Sequence, residues 1–99
     1  MTTPATSQAD IPTAHASRYL QQLCKHFGHK IPVEFTPTEG RITFPMGDCL
    51  LTADDAHLHL ECRVPEADQL DRLQEVVASH LVRFAFREEL AIEWAAAVA

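Results

Sequence analysis

Apolar side chains in the first third of the chain recur at helical spacing. A helical wheel places six of them on or beside one face: Ala16, Tyr19, Leu20, Leu23, Cys24 and Phe27. A stripe of this kind predicts an amphipathic helix. Thr13 is suited to cap the start of this helix. Gly28, followed by Pro32, predicts its end, because proline disfavours helical backbone in the residue before it.

Between residues 33 and 64 the pattern changes to an alternation of apolar and polar positions. Turn-forming residues divide this region into four strand-like segments, which contain Val33 and Phe35, Ile42 and Phe44, residues 49–53, and residues 57–64. In the last segment, Leu58, Leu60, Cys62 and Val64 share one face, and the other face is polar. This alternation predicts an antiparallel meander with one side exposed to water.

A second helical stripe follows Pro65. Because proline is tolerated in the first turn of a helix, Pro65 predicts the start of this second helix. Its apolar side runs to about residue 85 and is formed by Leu70, Leu73, Val77, His80, Leu81 and Phe84. Beyond it the pattern is ambiguous. Leu90 and Trp94 fit a helix together with Phe86, but they fit a strand together with Ile92. We favour a short closing strand over residues 90–94.

These elements predict an α+β fold, a two-layer sandwich in which two helices cover one face of a four-strand antiparallel meander. Residues 14–94 form a single α+β domain in this interpretation. Residues 1–13 are polar and contain prolines, so we expect a disordered leader there. Residues 95–99 are expected to form a C-terminal tail.

The composition excludes several classes of protein. The 99-residue chain carries a formal net charge of −6, which disfavours nonspecific binding to nucleic acid. No apolar run approaches the length of a membrane span, and no secretion signal is visible. We therefore expect a cytoplasmic protein that does not contact a membrane. Three cysteines without a secretion signal indicate reduced thiols.

The charges are distributed unevenly along this acidic chain. Residues 15–30 contain Arg18, Lys25, Lys30 and three of the six histidines, but no carboxylate. The rest of the chain contains five arginines and all fourteen Asp and Glu residues. Such segregation produces a local positive field that attracts an anion or an acidic surface.

One polar ridge of the first helix carries most of these groups. It consists of His15, Gln22, His26 and His29, with Arg18 and Lys25 beside them. Their donors suit a phosphate, a carboxylate or a polyanionic chelate. If the second helix packs alongside the first, His80, Arg83 and Arg87 would complete an anion-binding site. The alternatives are a solvated helix face and a ridge that pairs with acidic residues of the fold itself.

Two sets of histidines have the spacing of metal ligands. His26 and His29 point the same way on a helix, but a metal site there needs a third ligand, such as His15 or His80. The second set, on one face of the fourth predicted strand, consists of His57, His59 and Glu61. Neighbouring side chains on one strand face are about 7 Å apart, so closing on one ion requires convergent rotamers or a bulge.

His80 and the three cysteines are the remaining candidates for chemistry. His80 lies in an apolar stripe, where a histidine is commonly hydrogen-bonded to a backbone carbonyl or a carboxylate. Cys49 and Cys62 fall on apolar strand faces and are predicted to be structural. Cys24 is near basic residues, so it is the best candidate for a thiol of lowered pKa. No nucleophile, base and orienting group can be assembled around either residue, and the sequence therefore does not favour an enzyme.

Three strings resemble a known family: HASRYLQQLCKHFGHKIPV at residues 15–33, GRITF at 40–44 and LQEVVASHLVRFAFREEL at 73–90. They are similar to an uncharacterised bacterial family, domain-of-unknown-function family 2218, over about residues 13–94. The resemblance implies a small stand-alone α+β domain. It also implies a link to iron metabolism, because similar modules occur beside, or fused to, siderophore-interacting flavin reductases. It supplies no catalytic residues.

These observations favour a cytoplasmic, non-enzymatic accessory domain that binds an anionic ligand or partner through its first helix. The resemblance suggests a ferric siderophore or a flavin-dependent siderophore reductase in that role. One alternative is a metal-binding protein based on His26 and His29. Another is a protein interaction module that uses the apolar end of the chain, residues 94–99. The sequence indicates neither a cofactor nor an oligomeric state.

Overall fold

Two helices cover one face of a six-stranded antiparallel sheet in the computed structural model, which describes residues 3–96. The strands are β1 (Ala5–Pro12), β2 (Val33–Phe35), β3 (Glu39–Phe44), β4 (Gly47–Ala53), β5 (His57–Val64) and β6 (Ala95–Ala96). The helices are α1 (Ala16–Phe27) and α2 (Leu70–Phe84), and one 3-10 turn, Ala67–Gln69, precedes α2. The strand order across the sheet is β2-β3-β4-β5-β1-β6.

The predicted α+β class is confirmed, but the predicted four-strand meander is too small. Strands β2 to β5 do form consecutive antiparallel hairpins, as the alternating pattern indicates. The sheet then continues on the other side of β5 with β1 and β6. The meander is therefore two-thirds of a larger sheet rather than the whole of it.

Strand β1 occupies most of the segment that was expected to be a disordered leader. It pairs with β5 over its full length, from Ala5 opposite Val64 to Pro12 opposite His57. Its inward side chains are buried, and they are Ser7, Ala9 and Ile11. The alternation is present in the sequence, but small side chains carry it and hydrophobicity alone does not reveal it. The prediction is therefore wrong for Ala5–Pro12, while residues 1 and 2 lie outside the described part of the chain.

The closing strand also differs from its prediction. Residues 90–94 are irregular, and the two-residue strand β6 follows them and pairs with Ser7 and Gln8 of β1. Leu90, Ile92 and Trp94 are partly buried against the core, which accounts for their apolar character without a strand. The first two residues of the predicted tail, 95–99, thus belong to the sheet, and residues 97–99 lie outside the described part.

Helix α1 packs on the sheet with the face that its sequence predicts. The six apolar residues of the stripe, including Cys24 at its edge, are all buried. The helix ends at Phe27 with Gly28 as its C-cap, as expected. Its start is different, because His15 is the N-cap residue and Thr13 instead accepts a hydrogen bond from the His15 N–H at 3.1 Å.

Helix α2 buries Leu73, Val77 and Leu81 against the same face of the sheet. It begins at Leu70, five residues later than Pro65 suggests, because the chain first makes a bend and the 3-10 turn. Burying one such Leu or Val side chain contributes about 1.5–3 kcal/mol to folding. Within residues 3–96, neither helix combines the length and apolar character that crossing a membrane would require.

All three cysteines lie in this core as free thiols. Cys49 and Cys62 face each other across β4 and β5, in agreement with the structural role predicted for them. Cys24 reaches from α1 to strand β3, where a side chain on Gly40 would place its Cβ 2.8 Å from Sγ of Cys24. No glycine within residues 3–96 has a positive φ angle, so Gly40 is required for space rather than for backbone conformation.

Replacing Gly40 by alanine should therefore destabilise the protein through overpacking, by about 1–3 kcal/mol. Adding Cys24→Ala should remove the clash. The double variant is therefore expected to lose less stability than the sum of the losses in the two single variants. Cys62→Ala is a matched control, since it removes a buried thiol from β5, two strands away from Gly40 on β3. It should combine additively with Gly40→Ala. Urea unfolding of all variants under reducing conditions measures the coupling. Additive losses for Gly40 and Cys24 would contradict the proposed contact.

Candidate functional site

Helices α1 and α2 contact each other on the sheet. The polar ridge of α1 therefore lies beside α2 and the turn that follows α2. Between the first half of α1 and the turn formed by residues 85–88 lies a groove of about 680 Å³. Its lining comprises Ala14, His15, Arg18, Tyr19, Gln22, Phe84, Phe86, Arg87 and Glu88. Four predicted site residues, namely His15, Arg18, Gln22 and Arg87, thus lie in one groove. We call it the arginine groove.

The two arginines of the groove come from distant parts of the sequence and are both exposed. Neither Arg18 nor Arg87 forms a salt bridge with any residue between 3 and 96. The guanidinium carbon of Arg87 lies 5.4 Å from the centre of the Phe86 ring, which is within cation–π range. The groove therefore presents positive charge together with aromatic surface.

A hydrogen bond between Tyr19 and Glu88 connects the two walls of the arginine groove. The Tyr19 hydroxyl donates to the Glu88 carboxylate, which ties α1 to the turn that carries Arg87. Burial, assisted by this hydrogen bond, raises the pKa of Tyr19 to about 12. In the sequence, Tyr19 belongs only to the apolar stripe of α1, because no local pattern indicates a partner so distant in the chain.

A second cluster lies farther along the contact between α1 and α2. The imidazole centres of His26 and His80 are 5.0 Å apart, and Phe27 and Phe84 pack against these rings at 4.8 to 5.6 Å. Nδ1 of His80 lies 2.7 Å from the backbone oxygen of Val76, and since a carbonyl only accepts, this nitrogen donates. Of the two partners expected for His80, a backbone carbonyl or a carboxylate, the backbone carbonyl is the one present.

The surroundings of His26 favour its neutral form. Desolvation is the largest cause that lowers the pKa of His26, followed by the charges of His80, Lys30, His29 and Arg83. All the charged groups that act on this ring are cationic. Of the remaining predicted site residues, His29 and Arg83 therefore belong near this cluster, whereas Lys25 is exposed and does not line the groove.

The metal-ligand sets gain no support from these positions. Within the described residues, no group of three or more His, Cys, Asp or Glu side chains is arranged to hold a metal ion. On the outer face of the sheet, the members of the second set contact other partners. His59 lies 2.7 Å from Asp10, and Glu61 lies 2.7 Å from Arg63. No third ligand joins His26 and His29 in the described part of the chain.

Cys24, the best candidate for a thiol of lowered pKa in the sequence, lies in the core instead. The side chain is fully buried, and this burial raises the pKa of the Cys24 thiol to about 11. The pKa of Cys49 is also raised, by its hydrogen bond with Cys62 and by burial. A buried thiol that stays protonated is a poor nucleophile, so Cys24 contributes packing rather than chemistry.

The lowered pKa of His26 makes stability depend on pH in a defined direction. The unfolded chain binds a proton at this imidazole more readily than the folded chain does, so protonation favours unfolding. The contribution is complete above the unfolded pKa of about 6.5 and is lost as the pH falls below it. His26→Gln should therefore reduce the loss of stability between pH 7.5 and 5.5. Urea unfolding at both pH values measures the difference.

His57→Gln is the matched control, since it makes the same change on the strand face opposite the helices. The control should retain the pH dependence of the unsubstituted protein. An equal pH dependence in the His26 variant and in the unsubstituted protein would show that His26 does not cause it.

Comparisons with known proteins agree with this architecture. The NMR structure of PA4090 from Pseudomonas aeruginosa is similar, with 42% sequence identity and a TM-score of 0.77, and the match covers 92% of this chain and 95% of that one. No curated protein matches the chain. The profile of a bacterial family described as an uncharacterized protein conserved in bacteria, DUF2218, matches residues 8–95. The chain belongs to this family, as the strings around its two helices indicate.

Proposed function

We propose that this protein is a binding domain that holds a small organic anion in the arginine groove. The observation that carries the proposal is the position of Arg18 and Arg87. They lie on opposite sides of one groove, in a protein of net charge −6, and neither is paired with an acidic residue between 3 and 96. The Tyr19–Glu88 hydrogen bond links the groove walls and limits how far they can move apart.

The other arginines with assigned contacts provide a useful contrast. On the outer face of the sheet, Arg41 lies 2.7 Å from Asp48, and Arg63 lies 2.7 Å from Glu61. Arginines in this protein can therefore find internal partners where the fold supplies them. In the groove only Glu88 is acidic, and it accepts the hydrogen bond from Tyr19. Two guanidinium groups thus have donors available to an anion from outside.

The distribution of charge favours a small anion over a polyanionic macromolecule. The positive field is local, and the net charge of −6 would repel a long polyanion over the rest of the surface. A volume of about 680 Å³ falls in the usual range of small-molecule sites. Because the groove is open to solvent, the charge-assisted hydrogen bonds are screened and the affinity should be modest.

The iron context is part of this proposal and rests on the resemblance described above. An anionic ferric chelate, such as a ferric siderophore, carries the carboxylate or phenolate oxygens that guanidinium groups bind. In that context a flavin-dependent siderophore reductase is the proposed protein partner. Ferric citrate therefore serves as one probe beside citrate and pyrophosphate, which carry anionic oxygens without iron.

Titration of the protein with these three probes, followed by two-dimensional ¹⁵N NMR, tests the proposal. Shifts should cluster on residues 14–22 and 84–88. Arg18→Gln and Arg87→Gln should each weaken binding about fivefold or more, because each removes a charge-assisted hydrogen bond of about 1–3 kcal/mol. Raising the ionic strength should weaken binding in the unsubstituted protein.

Arg72→Gln is the matched control, since it makes the same change on α2 away from the arginine groove. It should leave the affinity unchanged. Binding of no probe at millimolar concentration, or equal affinity in all three variants, would reject the groove as an anion site. Absence of any chemical-shift change with all three probes would instead favour a protein partner, such as the proposed reductase.

A further inference from the structure

We propose that the anion bound in the arginine groove carries an aromatic ring, and that Phe86 is the residue that selects it. This inference rests on the proposed function and adds the chemical class of the ligand, an aryl carboxylate. It follows from the unusual position of Phe86 in relation to the two arginines.

Phe86 is the most exposed large apolar side chain among residues 3–96. The residue is 77% exposed, whereas Val82 and Phe35 are 54% and 38% exposed. Exposing an aromatic side chain forgoes the stabilisation that burial would provide, and Phe86 is adjacent to positions that are buried, such as Ala85. The chain therefore presents an aromatic surface at this point rather than placing it in the core.

The ring is not isolated on the surface, because it lines the same groove as both arginines. The guanidinium of Arg87 lies over the ring at 5.4 Å from its centre, which is a favourable contact between a cation and an aromatic face. This contact brings one of the two positive charges next to the aromatic surface. A carboxylate that pairs with Arg87 would bring the atoms attached to it close to Phe86.

These features select among occupants by charge and by shape. A purely inorganic anion would use the arginines and leave the Phe86 ring uncovered. An uncharged aromatic compound would cover the ring and leave the charges unpaired. An aryl carboxylate satisfies both, because its ring can stack or pack edge-to-face on Phe86 while its oxygens accept hydrogen bonds from guanidinium groups. Planar rings also stack on guanidinium planes, which extends the aromatic surface to Arg87.

Benzoate and cyclohexanecarboxylate form a pair of probes that separates the ring from the charge. Both carry one carboxylate on a six-membered carbon ring, but only benzoate has an aromatic face. In the unsubstituted protein, benzoate should bind about threefold to tenfold more tightly, the range expected of one aromatic pair. Dissociation constants from ¹⁵N NMR shifts of residues 14–22 and 84–88 measure the ratio.

Phe86→Leu keeps an apolar side chain and removes the aromatic face. It should reduce the preference for benzoate to about unity, while binding of cyclohexanecarboxylate stays within twofold of the unsubstituted protein. Val82→Ala is the control for changing an exposed apolar residue near the end of α2, outside the groove lining. It should retain the full preference. Both residues are exposed, so thermal unfolding should confirm that each variant is folded.

The possible outcomes distinguish this inference from the proposed function. Equal affinity of the two probes in the unsubstituted protein, or an unchanged preference in Phe86→Leu, would overturn the aromatic class of the ligand. If citrate binding still depended on the arginines, the proposed anion site would stand. Binding of neither probe, together with no citrate or pyrophosphate binding, would overturn both. A preference that Phe86→Leu removes and Val82→Ala retains supports the inference.

Discussion

The pairing of β1 with β5 is the contact on which the other parts of this structure depend. It places β1 between β5 and β6 in the sheet. At the end of β1, the backbone N–H of Thr13 donates to Ala56 at 2.9 Å, which positions the chain for the start of α1. The side chain of Gln74 donates to the Ser7 hydroxyl at 2.6 Å, which attaches α2 to the same strand. One strand thus sets the position of both helices.

The arginine groove follows from that arrangement. Because both helices are attached to the strand β1, the first half of α1 lies beside the turn after α2, and Arg18 and Arg87 line the same groove. The Tyr19–Glu88 hydrogen bond then links the two walls. Burial of Tyr19 makes this bond costly to break, since an unpaired hydroxyl or carboxylate in a partly buried position loses its solvation without a replacement.

The two polar clusters between the helices differ in chemistry. The arginine groove combines permanent positive charge with one carboxylate and an exposed aromatic ring. The cluster around His26 and His80 combines imidazoles with phenylalanine rings, and only cationic groups act on His26. The first is the groove in which we propose that an anion binds. In the second, the lowered pKa of His26 means that protonating this ring destabilises the folded state.

Local periodicity was sufficient for the parts of the fold whose pattern is strong. The stripe of α1 and the alternation of β5 bury the predicted faces, because a helix or strand in water must turn its apolar side inward. Strand β1 was not predictable in this way. Its inward residues Ser7 and Ala9 are small, and its partner lies about fifty residues later in the chain, so no local pattern connects them.

The candidate site divides in the same manner. The amino-acid sequence is enough to show that α1 is basic and the rest of the chain acidic, and to indicate Arg18 and Arg87 as candidate ligand-binding residues. Packing between distant segments brings these two arginines into one groove with Phe86 and joins Tyr19 to Glu88. Residue type and periodicity are local properties of a chain. Which surfaces meet depends on strand pairing and helix packing between distant segments.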